Sequence, residues 1–224
     1  MPDNALCEWD EILSSAARLQ MLIPEAVLVG GTASAVHVGH RFSHDADHVV
    51  EDLSSHFDEV LEQLESVAGW KTARVRRPVM ILGNLDGVET GIRQLIREKP
   101  LDTMQIATAR GKITLPTLPE ILRIKAVLIL RRNATRDYLD FVALADAMGD
   151  IAVMEALKSF DEIYPQPNGQ SAFQQLQVQL AKPLPYDLEE TNLSEYKNLS
   201  LRWQDWMNVE AVALRIAAML LECL

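Results

Sequence analysis

The sequence predicts an α+β protein, an α/β half followed by a helical half. Three observations carry that expectation. Short apolar runs closed by glycine or by Asp-Gly alternate with amphipathic stretches through the first half. An Asp86-Gly87 pair stands between two strand-like runs and signals a hairpin. From residue 118 onward the strand patterns stop, and successive segments carry apolar residues at helical spacing. The boundary is therefore expected near residue 113, giving units of 1–112 and 113–224.

Taken in order, residues 5–22 place Leu6, Trp9, Ile12, Leu13, Ala16 and Leu19 on one helical face, stopped by Pro24. The run AVLVGG at 26–31 reads as a buried strand breaking into a glycine turn, and the small, apolar residues 32–39 can be helical. A strand is expected at about 45–50 and a helix over 51–67, ending near Gly69. Residues 71–84 are β-branched and basic, and 88–96 form the returning arm of the hairpin; the stretch up to 117 adds a short strand or two. Thr117 with Glu120 three residues on has the form of a capping box. Helices are expected at 118–132, 136–148, 151–160, 169–181 and 207–223, with Pro165, Pro167, Pro183 and Pro185 marking loops.

The chain has 224 residues, enough to bury a sizeable core, with 48% hydrophobic and 24% charged residues. No apolar run approaches the roughly 18 residues of a membrane span. The acidic N-terminal region lacks the basic start of a secretory signal. Cys7 and Cys223 alone make neither a disulfide framework nor a zinc site. A cytoplasmic protein is expected. The net charge of −11 argues against indiscriminate nucleic-acid binding, but it conceals a pattern. Residues 71–136 hold 14 basic and 5 acidic residues, whereas residues 1–70 hold 2 and 13. Those basic residues either pair with the acidic thirds or form a cationic surface for a polyanion.

The chemistry concentrates in two places. Gly30-Gly31-Thr32 closes a strand and opens a helix, where glycines allow close backbone approach and helix N–H groups can cradle phosphate. Thirteen residues after Thr32 comes Asp45-Ala46-Asp47. On a strand, residues i and i+2 share a face, so both carboxylates point one way. Such a pair is costly unless a cation neutralises it, and Mg²⁺ takes one or two carboxylates plus substrate phosphates. A two-metal site wants a third carboxylate. The hairpin offers Asp86, which serves the turn, and Glu89, an acid on an otherwise apolar strand. Glu89 is the expected third ligand.

These residues resemble a known family. Gly30-Gly31-Thr32 followed by Asp45-Ala46-Asp47 is similar to the signature of the DNA polymerase β-like nucleotidyltransferase superfamily. Pro119, Leu122, Lys125 and Ala126, then Arg136-Asp137 and Asp140-Phe141, resemble the third and fourth motifs of AbiEii-type nucleotidyltransferase toxins. The four motifs run in order across 29–141. Gly31 stands where many relatives carry serine. The resemblance implies a nucleotidyltransferase-like mixed β-sheet with flanking helices and a helical C-terminal domain. It also implies Mg²⁺-dependent transfer, with two ions, of a nucleotide from an NTP. Asp45 and Asp47 would hold metal, and Gly30, Gly31 and Thr32 would contact triphosphate; the third acid, Glu89, falls in Val88-Glu89-Thr90, a departure from the Asp-bearing strand of the family, and is expected from the hairpin alone. Lys125 would contact phosphate or nucleotide, and Arg136, Asp137 and Asp140 would complete the site. The partners implied are an acceptor, a tRNA end or a protein, and a cognate antitoxin. Read without the resemblance, Lys125 is a snorkelling lysine or a phosphate ligand. Arg136 and Asp140 form an i, i+4 helix pair, or Asp140 orients Lys125 or Arg136.

Two other classes fit parts of the sequence. His37, His40, His44, His48 and His56 lie within twenty residues, four of them at 3–4–4 spacing that would share one helical face. With His44-Asp45 and Asp137 or Asp140 they suggest a His/Asp metal phosphohydrolase. A nucleotidyltransferase-like shell that only binds a partner is the other.

Overall fold

The computed structural model of the chain describes residues 2–167 and 169–222, with side chains from Glu8 onward. The side chains of Leu6 and Cys7, and Cys223, the last residue of the expected helix 207–223, lie outside the described residues. The chain forms two compact units, Met1–Ala33 with Ser43–Thr117 and Ser34–Phe42 with Leu118–Leu224.

In the first unit, helix α1 (Pro2–Leu22) leads into β1 (Val27–Leu28), and the unit holds the start of α2 (Gly30–Val38). Then come β2 (Asp45–Val50), a 3-10 turn (Leu53–Ser55), α3 (Phe57–Glu65), β3 (Trp70–Arg76), β4 (Met80–Leu85) and β5 (Val88–Gln94). The five strands form one mixed sheet in the order β1-β2-β5-β4-β3, with β2 and β5 parallel and the other pairs antiparallel. Strands β6 (Thr103–Thr108) and β7 (Gly111–Pro116) pair separately as an antiparallel hairpin.

The sheet has one dry face. Leu19 and Ile23, with Phe57, Val60, Leu61 and Leu64 of α3, pack on Val50, Ile81, Leu85 and Ile92. At roughly 25 cal/mol per Å² of apolar surface removed from water, this one-sided burial fixes the register, because a one-residue slip would turn every side chain over. Strand β2 accordingly alternates half-buried and buried residues, with Asp45, Asp47 and Val49 on one side and Ala46, His48 and Val50 on the other. The edge strand β3 exposes Lys71, Arg74 and Arg76, charges that discourage a further strand from adding there. The β4–β5 turn has φ of +55° at Asp86 and +94° at Gly87, the doubly positive geometry that Asp-Gly favours.

His48 sits in the dry face, and neither ring nitrogen has a hydrogen-bond partner of good geometry. Burial pushes its imidazole down to about 4, against a smaller opposing pull from the Ala46 and Gly91 backbone.

In the second unit, α4 (Leu118–Arg132), α5 (Thr135–Met148), α6 (Asp150–Leu157), α7 (Phe160–Ile163), α8 (Ala172–Ala181) and α9 (Trp206–Leu221) surround buried Leu122, Tyr138, Phe141, Phe160, Leu176 and Ile216. Asn133 makes the α4–α5 turn at φ +49°. Its side-chain oxygen accepts from Tyr138 Oη at 2.8 Å and Gln179 Nε2 at 2.6 Å.

Several local expectations differ from the structure. The strand expected at 26–31 is only two residues long, because Gly30 already adopts φ +75° and opens α2. The 71–84 run is two strands, turned at 77–79 where Val79 N–H donates to the Arg76 carbonyl. The expected 151–160 helix divides into α6 and α7. The capping box does not form: Thr117 N–H donates to the Asp102 carbonyl, and Glu120 pairs instead with Arg123 at 2.6 Å.

Candidate active site

The parallel β2–β5 ladder brings Asp45 opposite Glu89 and Asp47 opposite Gly91. Side chains in register on neighbouring strands share a face, so Asp45, Asp47 and Glu89 lie together on the side of the sheet away from the core. Asp45 and Asp47 are half-buried and Glu89 is exposed. The Ser43 hydroxyl donates to Asp45 Oδ1 at 2.6 Å, and Arg93 Nε lies 3.7 Å from Asp47 Oδ1.

The glycine turn lies beside these carboxylates. A Cβ added to Gly30 would sit 3.5 Å from Asp47 Cβ and 3.7 Å from its Oδ2, so Asp47 is packed against the first residue of α2. Val29 N–H donates to the Asp47 carbonyl at 2.8 Å. Thr32, expected to contact triphosphate, is buried, and its hydroxyl donates to the Asp45 carbonyl at 2.5 Å. The hydroxyl therefore ties the turn to the carboxylate strand instead of facing a ligand.

This donor set fits a magnesium ion. It is all hard oxygen, and two half-buried acids share a face with a third in register. Among the described residues no group of three or more His, Cys, Asp or Glu side chains is placed to hold a metal ion by itself.

The hairpin's other acid is committed elsewhere. Asp86 is paired with Arg18, whose second amino group donates to the Ala68 carbonyl at 2.7 Å. Asp86→Asn should keep the turn, since Asn-Gly serves it equally. Glu89→Gln should lose Mg²⁺-dependent activity while leaving the circular dichroism spectrum unchanged. A magnesium titration of both variants checks the ranking, and the reverse order would make Asp86 the ligand.

In the second unit, Lys125, Asp137 and Asp140 form a buried charge cluster. Lys125 Nζ lies 2.7 Å from Asp140 and 3.7 Å from Asp137, with only 2% of the lysine side chain exposed. Arg132 bonds both oxygens of Asp137, at 2.7 and 3.0 Å. Asp140 also takes Arg41 through both oxygens, at 2.7 and 3.0 Å, and His40 Nε2 at 2.7 Å. Burial pushes the Asp140 carboxyl up, but the Arg41 guanidinium, the Lys125 ammonium and His40 together hold it well below the usual carboxylate range.

Lys125, expected to contact phosphate or nucleotide, is buried and ion-paired with Asp140 within the helical unit. Asp140 does not pair with Arg136 along the helix; its oxygens go to Arg41, Lys125 and His40, and Arg136 is exposed. His40 and Arg41 join this cluster without any motif to announce them. A signal is present, since Arg18 and Arg41 are the two basic residues among the first 70. Each is ion-paired with an acid far along the chain.

The histidines do not converge. Gly39, at φ +59°, ends α2 before the 3–4–4 spacing can build one face. His40 binds Asp140, His44 is exposed, His48 is in the sheet core, and His56 lies near Glu25 at 3.5 Å. Of the basic middle third, Arg77 pairs with Asp58 at 2.9 Å, Arg123 with Glu120, and Arg132 with Asp137. Arg97 donates to the Lys99 and Pro100 carbonyls. Arg74, Arg76 and Arg131 are exposed.

A mixed sheet with paired carboxylates on one face beside a glycine-opened helix is a nucleotidyltransferase-like fold. The model of the family described as nucleotidyl transferase AbiEii toxin, type IV toxin–antitoxin system, matches residues 12–209, and the chain belongs to that family. Among solved structures, JHP933 from Helicobacter pylori has a TM-score of 0.55 at 15% identity, covering 98% of this chain and 94% of that one. ANT(2")-Ia, in complex with adenylyl-2"-tobramycin, has a TM-score of 0.51 at 10% identity, covering 68% and 97%. These likenesses show the fold. The Mycobacterium tuberculosis heme uptake protein MmpL11 is 27% identical over 238 residues, 94% of this chain and 22% of that protein. The Mycolicibacterium smegmatis mycolic acid-containing lipids exporter MmpL11 is 31% identical over 129 residues, 56% and 13%. The chain thus spans about a fifth or less of the length of these curated relatives. Among the described residues, no helix is long and apolar enough to cross a membrane.

Proposed function

We propose that this chain is a cytoplasmic toxin that transfers a nucleotide from a nucleoside triphosphate to the end of a tRNA, and that a cognate antitoxin opposes it. The observation that carries the reading is the in-register face of Asp45, Asp47 and Glu89 beside Gly30. In the reaction, an acceptor hydroxyl oxygen bonds to the α-phosphorus and the bond to the β-phosphate bridging oxygen breaks. Pyrophosphate and a proton are released.

Asp45 and Asp47, with Glu89, would hold Mg²⁺. Bound there, the metal supplies charge neutralisation at the phosphates and lowers the acceptor hydroxyl's pKa. Ser43 orients Asp45 through its hydrogen bond, and Arg93 places a positive charge near Asp47. The Gly30-Gly31 turn presents α2's first N–H groups to triphosphate. Thr32 keeps that turn tied to β2. Positioning and fixed charge therefore do most of the work, as in other phosphoryl-group chemistry.

The test is incubation with each labelled NTP, Mg²⁺ and total RNA. Label in the tRNA fraction is expected. Label in protein would move the acceptor to a protein, and no labelled product with any NTP would overturn the transfer reading.

RNA binding should depend on the exposed basic strand. Replacing Arg74, Arg76 and Arg77 together with Ser should weaken tRNA binding and flatten its salt dependence. The log–log slope should shrink by about 0.7 for each single-strand phosphate no longer neutralised. NTP affinity should change little. Binding that is unchanged by the triple replacement and flat with salt would reject an RNA acceptor held by this strand.

A further inference from the structure

The Asp140 cluster reaches beyond the four family motifs to the residues between them. His40 and Arg41 belong to the connection that follows α2 and precedes Asp45, and both side chains close on one carboxylate 100 and 99 residues away. Asp140 is fully buried and Arg41 and His40 nearly so. The same segment is held from its other side. Ser200 N–H donates to the His40 carbonyl at 2.9 Å, and Phe42 N–H donates to the Lys197 carbonyl at 2.8 Å. Tyr196 places its ring 5.8 Å from the Arg41 guanidinium carbon. Every one of these contacts is made within the helical unit.

The connection is short. Gly39 has already left helical geometry, and Ser43, one residue past Phe42, is the donor to Asp45. A segment clamped at 40–42 fixes one end of the peptide that carries Ser43 and Asp45. It also fixes the C-terminal end of α2, whose N-terminal end is the glycine turn. The bidentate geometry matters here, since a planar guanidinium on two carboxylate oxygens fixes orientation as well as distance.

We propose that Asp140 is a positioning residue that, through Arg41 and His40, sets the segment joining the glycine turn to the Asp45-Ala46-Asp47 strand. The role is distinct from contact with nucleotide, and its kinetic part rests on the transfer reading above. Lys125 Nζ lies 2.7 Å from the carboxylate oxygen that the Arg41 amino group also holds, and completes the clamp.

The test compares Asp140→Asn, Arg41→Lys and the double variant with the wild-type chain. Arg41→Lys keeps the charge and loses the two-point grip, so it serves if Asp140→Asn does not fold. The first readout is amide hydrogen exchange. Residues 40–45 should lose at least about tenfold protection in each folded variant, while the middle of α5 keeps its own. The second is kinetic: kcat should fall by about tenfold or more with NTP KM within about threefold, and the double variant should be no worse than the more damaged single one. Wild-type exchange at 40–45 in Arg41→Lys would overturn the proposal. So would losses that multiply in the double variant, or a large rise in NTP KM for Asp140→Asn alone, since either would mark Asp140 as acting apart from Arg41. If the wild-type chain transfers nothing, the transfer reading fails by itself, and hydrogen exchange still decides the clamp.

Discussion

Asp45→Asn and Asp47→Asn should each abolish nucleotidyl transfer while leaving the fold in place. The loss should reach roughly two orders of magnitude or more, the equivalent of several kcal/mol of charge stabilisation at the phosphates. The fold should survive because both side chains sit on the open face of the sheet, away from the packing of Val50, Ile81 and Ile92. Removing one of two neighbouring like charges should leave the metal-free protein as stable as before or slightly more so. Asn retains the size needed beside Gly30. Single-turnover assays with thermal denaturation of the same samples check both halves. Transfer at the wild-type rate in the double variant would remove this face from the chemistry.

Acid should weaken the chain in two steps, the first governed by His48. The imidazole titrates near 6.5 when unfolded and at about 4 when buried in the sheet. Between those values the unfolded chain binds the extra proton, so stability is fully present above pH 6.5 and is lost as pH falls toward 4. The separation corresponds to about 3 kcal/mol, with no solvent screening at a fully buried site. Asp140 acts lower. Its carboxyl is held below the unfolded value by Arg41, Lys125 and His40, against the push of burial. Its contribution is therefore present above the unfolded carboxyl pKa and lost as pH falls further. Urea denaturation at intervals from about pH 7.5 to about pH 4 should show the first loss. His48→Leu, similar in volume and without a proton to gain, should flatten it. Equal slopes in the two proteins would show that His48 is not responsible.

What the sequence discloses follows from the range of the interactions involved. The strand at 45–50 and the Asp86-Gly87 turn are legible because alternation and turn chemistry are local. The same-face placement of Asp45 and Asp47 follows from strand geometry alone. That Glu89 stands opposite Asp45 depends on the parallel pairing of β2 with β5, across two intervening strands and a helix, which no local pattern encodes. The clamp on Asp140 is hidden for the same reason, and Lys125 reads as a ligand because its partner lies on the next helix. The histidine spacing misleads because it assumes a continuous helix through Gly39, whose positive φ ends it. Arg41, like Arg18, leaves a visible trace as a lone cation in an acidic stretch, and it stands beside the Asp-x-Asp motif.

If metal and nucleotide bind the face formed by β2 and β5 beside the glycine turn, Mn²⁺ added with and without a non-hydrolysable NTP should broaden the backbone amide signals there. Broadening should centre on Gly30 to Thr32, Asp45 to Asp47 and Glu89, be strengthened by the nucleotide and be abolished in Asp45→Asn/Asp47→Asn. Broadening centred on His37, His44 and His56, or on Asp137 and Asp140, with these residues unaffected, would contradict this placement.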